Sequence, residues 1–192
     1  MRRKSKLISV GKVKIGSEEK IAVQSMLNIP TYDIEKNVEE AKKLKEAGCD
    51  ILRISILDKE SIKLIDAIKS QVDIALVADI HFDYKLAIES VTAGIDKIRI
   101  NPGNIGDHSK IKAVVDSCFF KNIPIRIGVN SGSLEKEILE KYNSPCADAL
   151  CDSALYHAKL LENFDFTDIV ISLKSSNVQT MIEAYEMLAQ KC

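Results

Sequence analysis

No tryptophan occurs in the 192 residues, and phenylalanine and tyrosine supply only five each. No apolar run approaches the roughly 20 residues of a membrane-spanning helix, which argues against a place in a membrane. The start, MRRKSKLISV, is basic but lacks the apolar stretch of a signal peptide, and it reads as a solvated terminus. Neither sign of charge dominates: 27 Lys and Arg stand against 28 Asp and Glu, for a net charge of -1, which argues against a general nucleic-acid surface. The five cysteines (Cys49, Cys118, Cys146, Cys151, Cys192) show no CxxC and no ligand-like spacing to histidine, so they read as reduced, mostly buried thiols and imply no metal. Linkers and low-complexity segments are missing too, so residues 1–192 are expected to form a single unit. At 46% hydrophobic, that unit is expected to be a soluble, cytoplasmic α/β domain with an adequate core.

What is present is a regular alternation of short β-rich runs with amphipathic helices, the pattern of a parallel sheet. Lys12–Gly16 reads as one strand of an N-terminal hairpin, and the core strands read as Lys20–Met26, Asp50–Ile56, Ile74–Ile80, a run through Arg99, Ile123–Asn130 and Asp168–Leu173. Helices are expected after each, one of them opening on Ser144 and Pro145 and running to Glu162. The segment Ala47-Gly48-Cys49-Asp50-Ile51-Leu52-Arg53-Ile54 returns as Ala93-Gly94-Ile95-Asp96-Lys97-Ile98-Arg99-Ile100. The shared AGxDxxRI describes a helix ending in glycine, a turn, and a strand that carries an arginine. About six strand–helix units are countable, whereas a closed (β/α)8 TIM-type barrel has eight. The expected fold is therefore an incomplete barrel.

Each strand places polar residues at its C-terminal end, where βα-barrels build their sites. The set comprises Gln24, Ser25, Arg53, Ser55, Asp79, His81, Arg99, Asn101, Arg126, Asn130, Ser172 and Lys174. Three arginines and a lysine converging in one mouth call for an anion, and two phosphates fit the count. The competing reading is structural pairing of the arginines with the single acid at that depth, Asp79. His81, two residues from Asp79 on the same strand face, is a candidate general acid or hydrogen-bond donor whose tautomer Asp79 could set. His108 and His157 are expected to face solvent from helices. Pro102–Gly106 reads as a loop whose glycines let backbone amides approach a ligand.

VQSM (23–26), ADIHFDY (78–84), RINPGNIG (99–106), IPIRIGVNSGSLEK (123–136) and the SLK ending at Lys174 occur in that order. Together they resemble the N-terminal barrel of the 4-hydroxy-3-methylbut-2-enyl diphosphate synthases of the non-mevalonate isoprenoid pathway, from about residue 5 to the end. The resemblance implies two-electron reductive ring opening and dehydration of 2-C-methyl-D-erythritol 2,4-cyclodiphosphate. It also implies a [4Fe–4S] cluster fed by ferredoxin or flavodoxin, and a homodimer at full length. Carried over residue by residue, it implies diphosphate binding by Arg53, His81, Arg99, Asn101, Arg126, Asn130 and Lys174; the reading of the residues themselves makes His81, with Asp79, the catalytic candidates. The family's three cluster cysteines and glutamate follow the barrel in a separate iron–sulfur domain, and none of the five cysteines here matches them. The 192 residues alone are therefore expected to be inactive. Leu27-Asn28-Ile29-Pro30 stands where the family has a Thr-rich segment, and Asn177 where it has Asp. The alternatives are a pterin-binding type of barrel enzyme and a non-catalytic phosphate-binding remnant.

Overall fold

The computed structural model describes residues 3–192; Met1 and Arg2 of the basic start lie outside the described residues. Two short strands, β1 (Ile8–Val10) and β2 (Val13–Ile15), form an antiparallel hairpin. Six strands follow in one parallel sheet: β3 (Gln24–Met26), β4 (Ile51–Ile56), β5 (Ala75–Ile80), β6 (Lys97–Ile100), β7 (Ile125–Asn130) and β8 (Ile169–Lys174). They pair strictly in chain order, so β3 and β8 are the edges. The connecting helices are α1 (Ile34–Glu46), α2 (Lys59–Lys69), α3 (Tyr84–Thr92), the single turn α4 (Pro102–Ile105), α5 (His108–Lys121), α6 (Lys136–Tyr142), α7 (Ala147–Glu162) and α8 (Val178–Lys191). Six βα units of a barrel are thus in place.

The helices start where the sequence offers an oxygen to cap them. Asp33, Asp58, Asp83, Asp107 and Asn177 each accept a hydrogen bond from an amide of the first turn of α1, α2, α3, α5 and α8, and each such cap is worth about 1 kcal/mol. Asn177 does what an Asp would do there, through a 3.1 Å bond from the Thr180 amide. The two AGxDxxRI copies are built alike. Gly48 and Gly94 take φ of 94° and 87° just past α1 and α3, a left-handed turn that costs other residues strain. The following aspartates each accept a backbone amide at 2.8 Å, Asp50 from Val23 just before β3 and Asp96 from Leu76 of β5. They pin the strand starts, far from the site.

Side chains alternate across the sheet. Leu52, Ile54, Ile56, Leu76, Ile80, Ile98, Ile100, Ile125 and Ile127 face outward and are buried in the core shared with the helices. The inward face starts apolar, with Ile51, Ala75 and Val77 packed against Val10 in a second cluster that the hairpin closes.

Several expectations give way here. The N-terminal stretch is not a solvated terminus throughout, because Ile8 and Val10 are buried, Val10 within that inner cluster, and Lys6 pairs with Asp168 at 2.9 Å. The first core strand is only three residues long; residues before Gln24 do not pair as a strand. Helix α7 begins at Ala147 with Cys146 at its cap position and no side-chain cap, two residues later than Ser144 and Pro145 suggest. Residues 102–105 form a helical turn rather than an open loop, and the Gly103 amide donates to Asn101 Oδ1 at 3.2 Å. That amide is already used within the turn.

Candidate functional site

The inward face changes character above Val77. Register sets Asp79 beside Arg99, and Arg99 beside Arg126, so three adjacent strands present charges at one level. Arg99 donates from Nη1 to Asp79 Oδ1 at 3.1 Å, and Arg53 brings Nε to 3.5 Å from Asp79 Oδ2. One carboxylate, 4% exposed, therefore serves two guanidinium groups. Arg53 also lies against the thioether of Met26, with Nη2 at 2.9 Å from Sδ. Arg126 has no carboxylate partner among the described residues and donates from Nε to Ser172 Oγ at 3.0 Å. Burial in the first place, and then Arg53, holds the Arg126 pKa below the ordinary arginine value.

The expectation that Asp79 sets the tautomer of His81 meets a geometric limit. His81 Nε2 stands 3.6 Å from Asp79 Oδ2, beyond hydrogen-bond distance, because the carboxylate is turned into the arginines. His81 instead sits half-exposed at the lip, edge-on to Phe82. Asn101 is buried, and its Nδ2 donates to Ser133 Oγ at 3.3 Å across the mouth. Asn130 and Lys174 are register partners at the tips of β7 and β8. Lys174 is exposed, so the four cations expected to act as equals do not stand in equal surroundings. Ser25 belongs to the other face, paired in register with outward Leu52.

Gly128 is what admits Arg99. A Cβ built on Gly128 would stand 2.4 Å from Arg99 Nε and 2.6 Å from Nη2, well inside contact distance. The guanidinium therefore lies flat over this glycine.

Two features escape a reading of motifs. Lys97, two residues before Arg99 and on the same face, is 2% exposed inside the barrel; period two counted back from Arg99 points to it. His157 was expected to face solvent but is 2% exposed, with Nε2 at 2.5 Å from Glu135 Oε1. Leu150, Ala154 and Leu161, at helical spacing around it, mark that face of α7 as buried. Glu135 also accepts from Ser153 Oγ at 2.8 Å and packs under Gly103, which braces the turn behind Asn101.

The described cysteines offer no place for an iron–sulfur cluster. Cys49, Cys118 and Cys151 are buried on different elements, burial pushes the Cys118 thiol up to about 12, and no three metal-ligating side chains converge among the described residues.

Residues 5–192 match the GcpE TIM-barrel domain family, and the chain belongs to it. It is 53% identical over 190 residues to the 4-hydroxy-3-methylbut-2-en-1-yl diphosphate synthase (flavodoxin) of Clostridium perfringens, covering 99% of this chain and 54% of that protein. The protein of the same name from Fusobacterium nucleatum is 52% identical over 189 residues, with 98% and 53% covered. The chain thus spans about half the length of the relatives it matches. Among solved structures, dihydropteroate synthase from Xanthomonas albilineans in complex with 7,8-dihydropteroate superimposes with a TM-score of 0.67 at 13% identity, covering 97% of this chain and 72% of that one. The enzyme of the same name from Stenotrophomonas maltophilia does so at 0.67 and 16% identity, with 97% and 72% covered. At such identities the likeness is one of fold alone, and it carries no pterin substrate to this chain.

Proposed function

We propose that this chain is the substrate-holding barrel of a 4-hydroxy-3-methylbut-2-enyl diphosphate synthase, and that its mouth binds the two phosphates of 2-C-methyl-D-erythritol 2,4-cyclodiphosphate. The observation that carries the proposal is the charge imbalance around Asp79: Arg99 and Arg126 stand level with it, Arg53 reaches it from one inward position lower, and the three share that single carboxylate. Buried cations left short of partners are destabilising, and an anion with several oxygens relieves them. Planar guanidinium forks match phosphate oxygens two at a time.

In this reading Arg53, Arg99 and Arg126 grip the phosphates, Asn101 and Asn130 donate from the rim, and Lys174 adds long-range attraction at the edge. His81, nearest the opening, is the group placed to donate a proton or hydrogen bond to a ring or phosphate oxygen. Asp79 acts through the arginines as a positioning residue, because both its oxygens are turned to them. The reaction is a two-electron reductive opening of the ring with loss of water. Its electrons are proposed to come from flavodoxin, the donor in the relatives' names. The residues described here do not fit a [4Fe–4S] cluster. Closing the barrel, supplying the cluster and forming a homodimer are assigned to the remainder of the enzyme; the exposed edges of β3 and β8 are where two further strands would pair.

Calorimetric titration with the cyclodiphosphate tests the proposal. The protein should bind it one to one, and Arg53→Lys, Arg99→Lys and Arg126→Lys should each weaken binding roughly tenfold or more despite keeping the charge. If all three variants bind as tightly as the parent, the phosphates lie elsewhere.

A further inference from the structure

Lys97 is the buried charge for which the site so far has no use. It lies on β6 beside Val77 of β5, one inward position below Arg99. Only 2% of it is exposed, and its ammonium has no hydrogen bond or ion pair among the described residues. Lysine is almost never buried so completely without a partner. Nothing around it supplies one. Arg53 approaches from β4 and Arg126 from β7, while Arg99 follows on its own strand. Asp79 of β5 is engaged by Arg99 and Arg53, and the cluster below, with Val10, Ile51, Ala75 and Val77, is apolar. Four basic side chains thus share one carboxylate inside a half-closed barrel.

We propose that Lys97 is a further binding residue of this site, forming the floor of the phosphate pocket at the level of Arg53 and beneath Arg99 and Arg126, and taking up a proton from solvent when a diphosphate enters. The inference rests on reading the mouth as a phosphate site. Burial first, then Arg126 and Arg53, pull the Lys97 pKa down to about 8, so the anion-free protein near that pH holds a mixture of amine and ammonium. An anion arriving above reverses the sign of the local field and favours the ammonium. Binding and protonation are then linked, each strengthening the other. A lysine kept merely to fill space would show no such linkage.

The cyclodiphosphate is a suitable probe, because each of its phosphorus atoms carries one ester and one anhydride link and keeps no proton to give up near pH 8. Calorimetry of its binding in two buffers of different ionisation enthalpy reads protons taken up per ligand bound. The expected result at pH 8 is uptake of up to about half a proton, falling toward zero at pH 6.5, where Lys97 is already charged. Lys97→Met should abolish the uptake, weaken binding about tenfold, and raise the melting temperature of the ligand-free protein. Binding without proton uptake at pH 8 overturns this inference and leaves the phosphate site standing, and so does uptake that survives Lys97→Met. Failure of the parent protein to bind the ligand overturns both. The measurement on the parent protein decides the matter even if the variant folds poorly.

Discussion

On β6, Ile98 and Ile100 point outward into the helix-covered core, while Lys97 and Arg99 point into the barrel. The same alternation holds on β7, where Ile125, Ile127 and Val129 oppose Arg126, Gly128 and Asn130. The outer face has all its needs met within the chain: apolar atoms touch apolar atoms, and its contribution scales with the area removed from water. The inner face from the level of Val77 upward has not, since it gathers cations around Asp79 and leaves Lys97 without a counter-ion. One sheet thus carries stability on one side and an unmet demand for negative charge on the other. Substitutions on the two faces should consequently separate folding from binding.

The largest effect belongs to the outer face. Ile98→Ala removes a fully buried side chain and should destabilise the protein by roughly 2–5 kcal/mol, measured by denaturant unfolding. Affinity for the cyclodiphosphate, expressed per folded molecule, should stay unchanged. A loss of affinity without a loss of stability would break the division between faces.

Next comes Lys97→Met, with the opposite sign. A lysine whose pKa falls from 10.5 to about 8 on folding costs at most ~3 kcal/mol at pH 7. Below pH 8 both the folded and unfolded chains hold the proton, and the cost stands in full. Between pH 8 and 10.5 the unfolded chain binds more proton, so the parent gains stability with rising pH and the advantage of the methionine shrinks. Unfolding of both proteins at pH 7 and pH 10 reads that gap; a gap that does not narrow would count against the buried ammonium.

These contrasts also mark what could be read from residue order alone. The strands from β4 onward and the arginine positions follow from local pattern, and so they are legible. The pairing of both Arg53 and Arg99 with Asp79 depends on how much one strand is staggered against the next, which spacing within a strand does not encode. The hairpin as a plug is hidden for the same reason: Val10 is buried by Ile51 and Val77, over forty residues away. Lys97 and His157 were within reach of a periodicity argument, but a charged or polar letter between apolar ones is readily taken for a surface position. The turn at 102–105 follows from Asn101 capping its own backbone, which competes with any role of that loop as an open phosphate cradle.

Gly128→Ala sharpens the comparison within the inner face. The new methyl would meet the far end of the Arg99 side chain rather than backbone, so the arginine can swing away at little cost in stability. In doing so it leaves Asp79 and the phosphate position. Binding should weaken by roughly 1.5–3 kcal/mol, the worth of a charge-assisted contact, with the unfolding midpoint nearly unmoved. Titration and melting curves on the same sample check both halves.

The smallest effect should come from Lys174, the cation that the sequence ranks beside Arg99. It stands exposed at the end of an edge strand, with no ion pair among the described residues. In water at physiological salt a charge acts over only about 8 Å, and a mobile lysine gives up rotamer entropy on gripping a ligand. Lys174→Ala should accordingly weaken cyclodiphosphate binding by less than about fivefold, on the scale of an exposed ion pair. The loss should fade as salt is raised to 1 M, where screening shortens the range to about 3 Å. Arg99→Lys should behave differently, because its damage comes from the lost fork and not from lost charge; salt should leave most of that loss in place. Titrations of both variants across a salt series discriminate the two. If the Lys174 deficit proves as large and as salt-resistant as that of Arg99, then β8 carries a direct phosphate contact, and the ordering of these cations by burial is wrong.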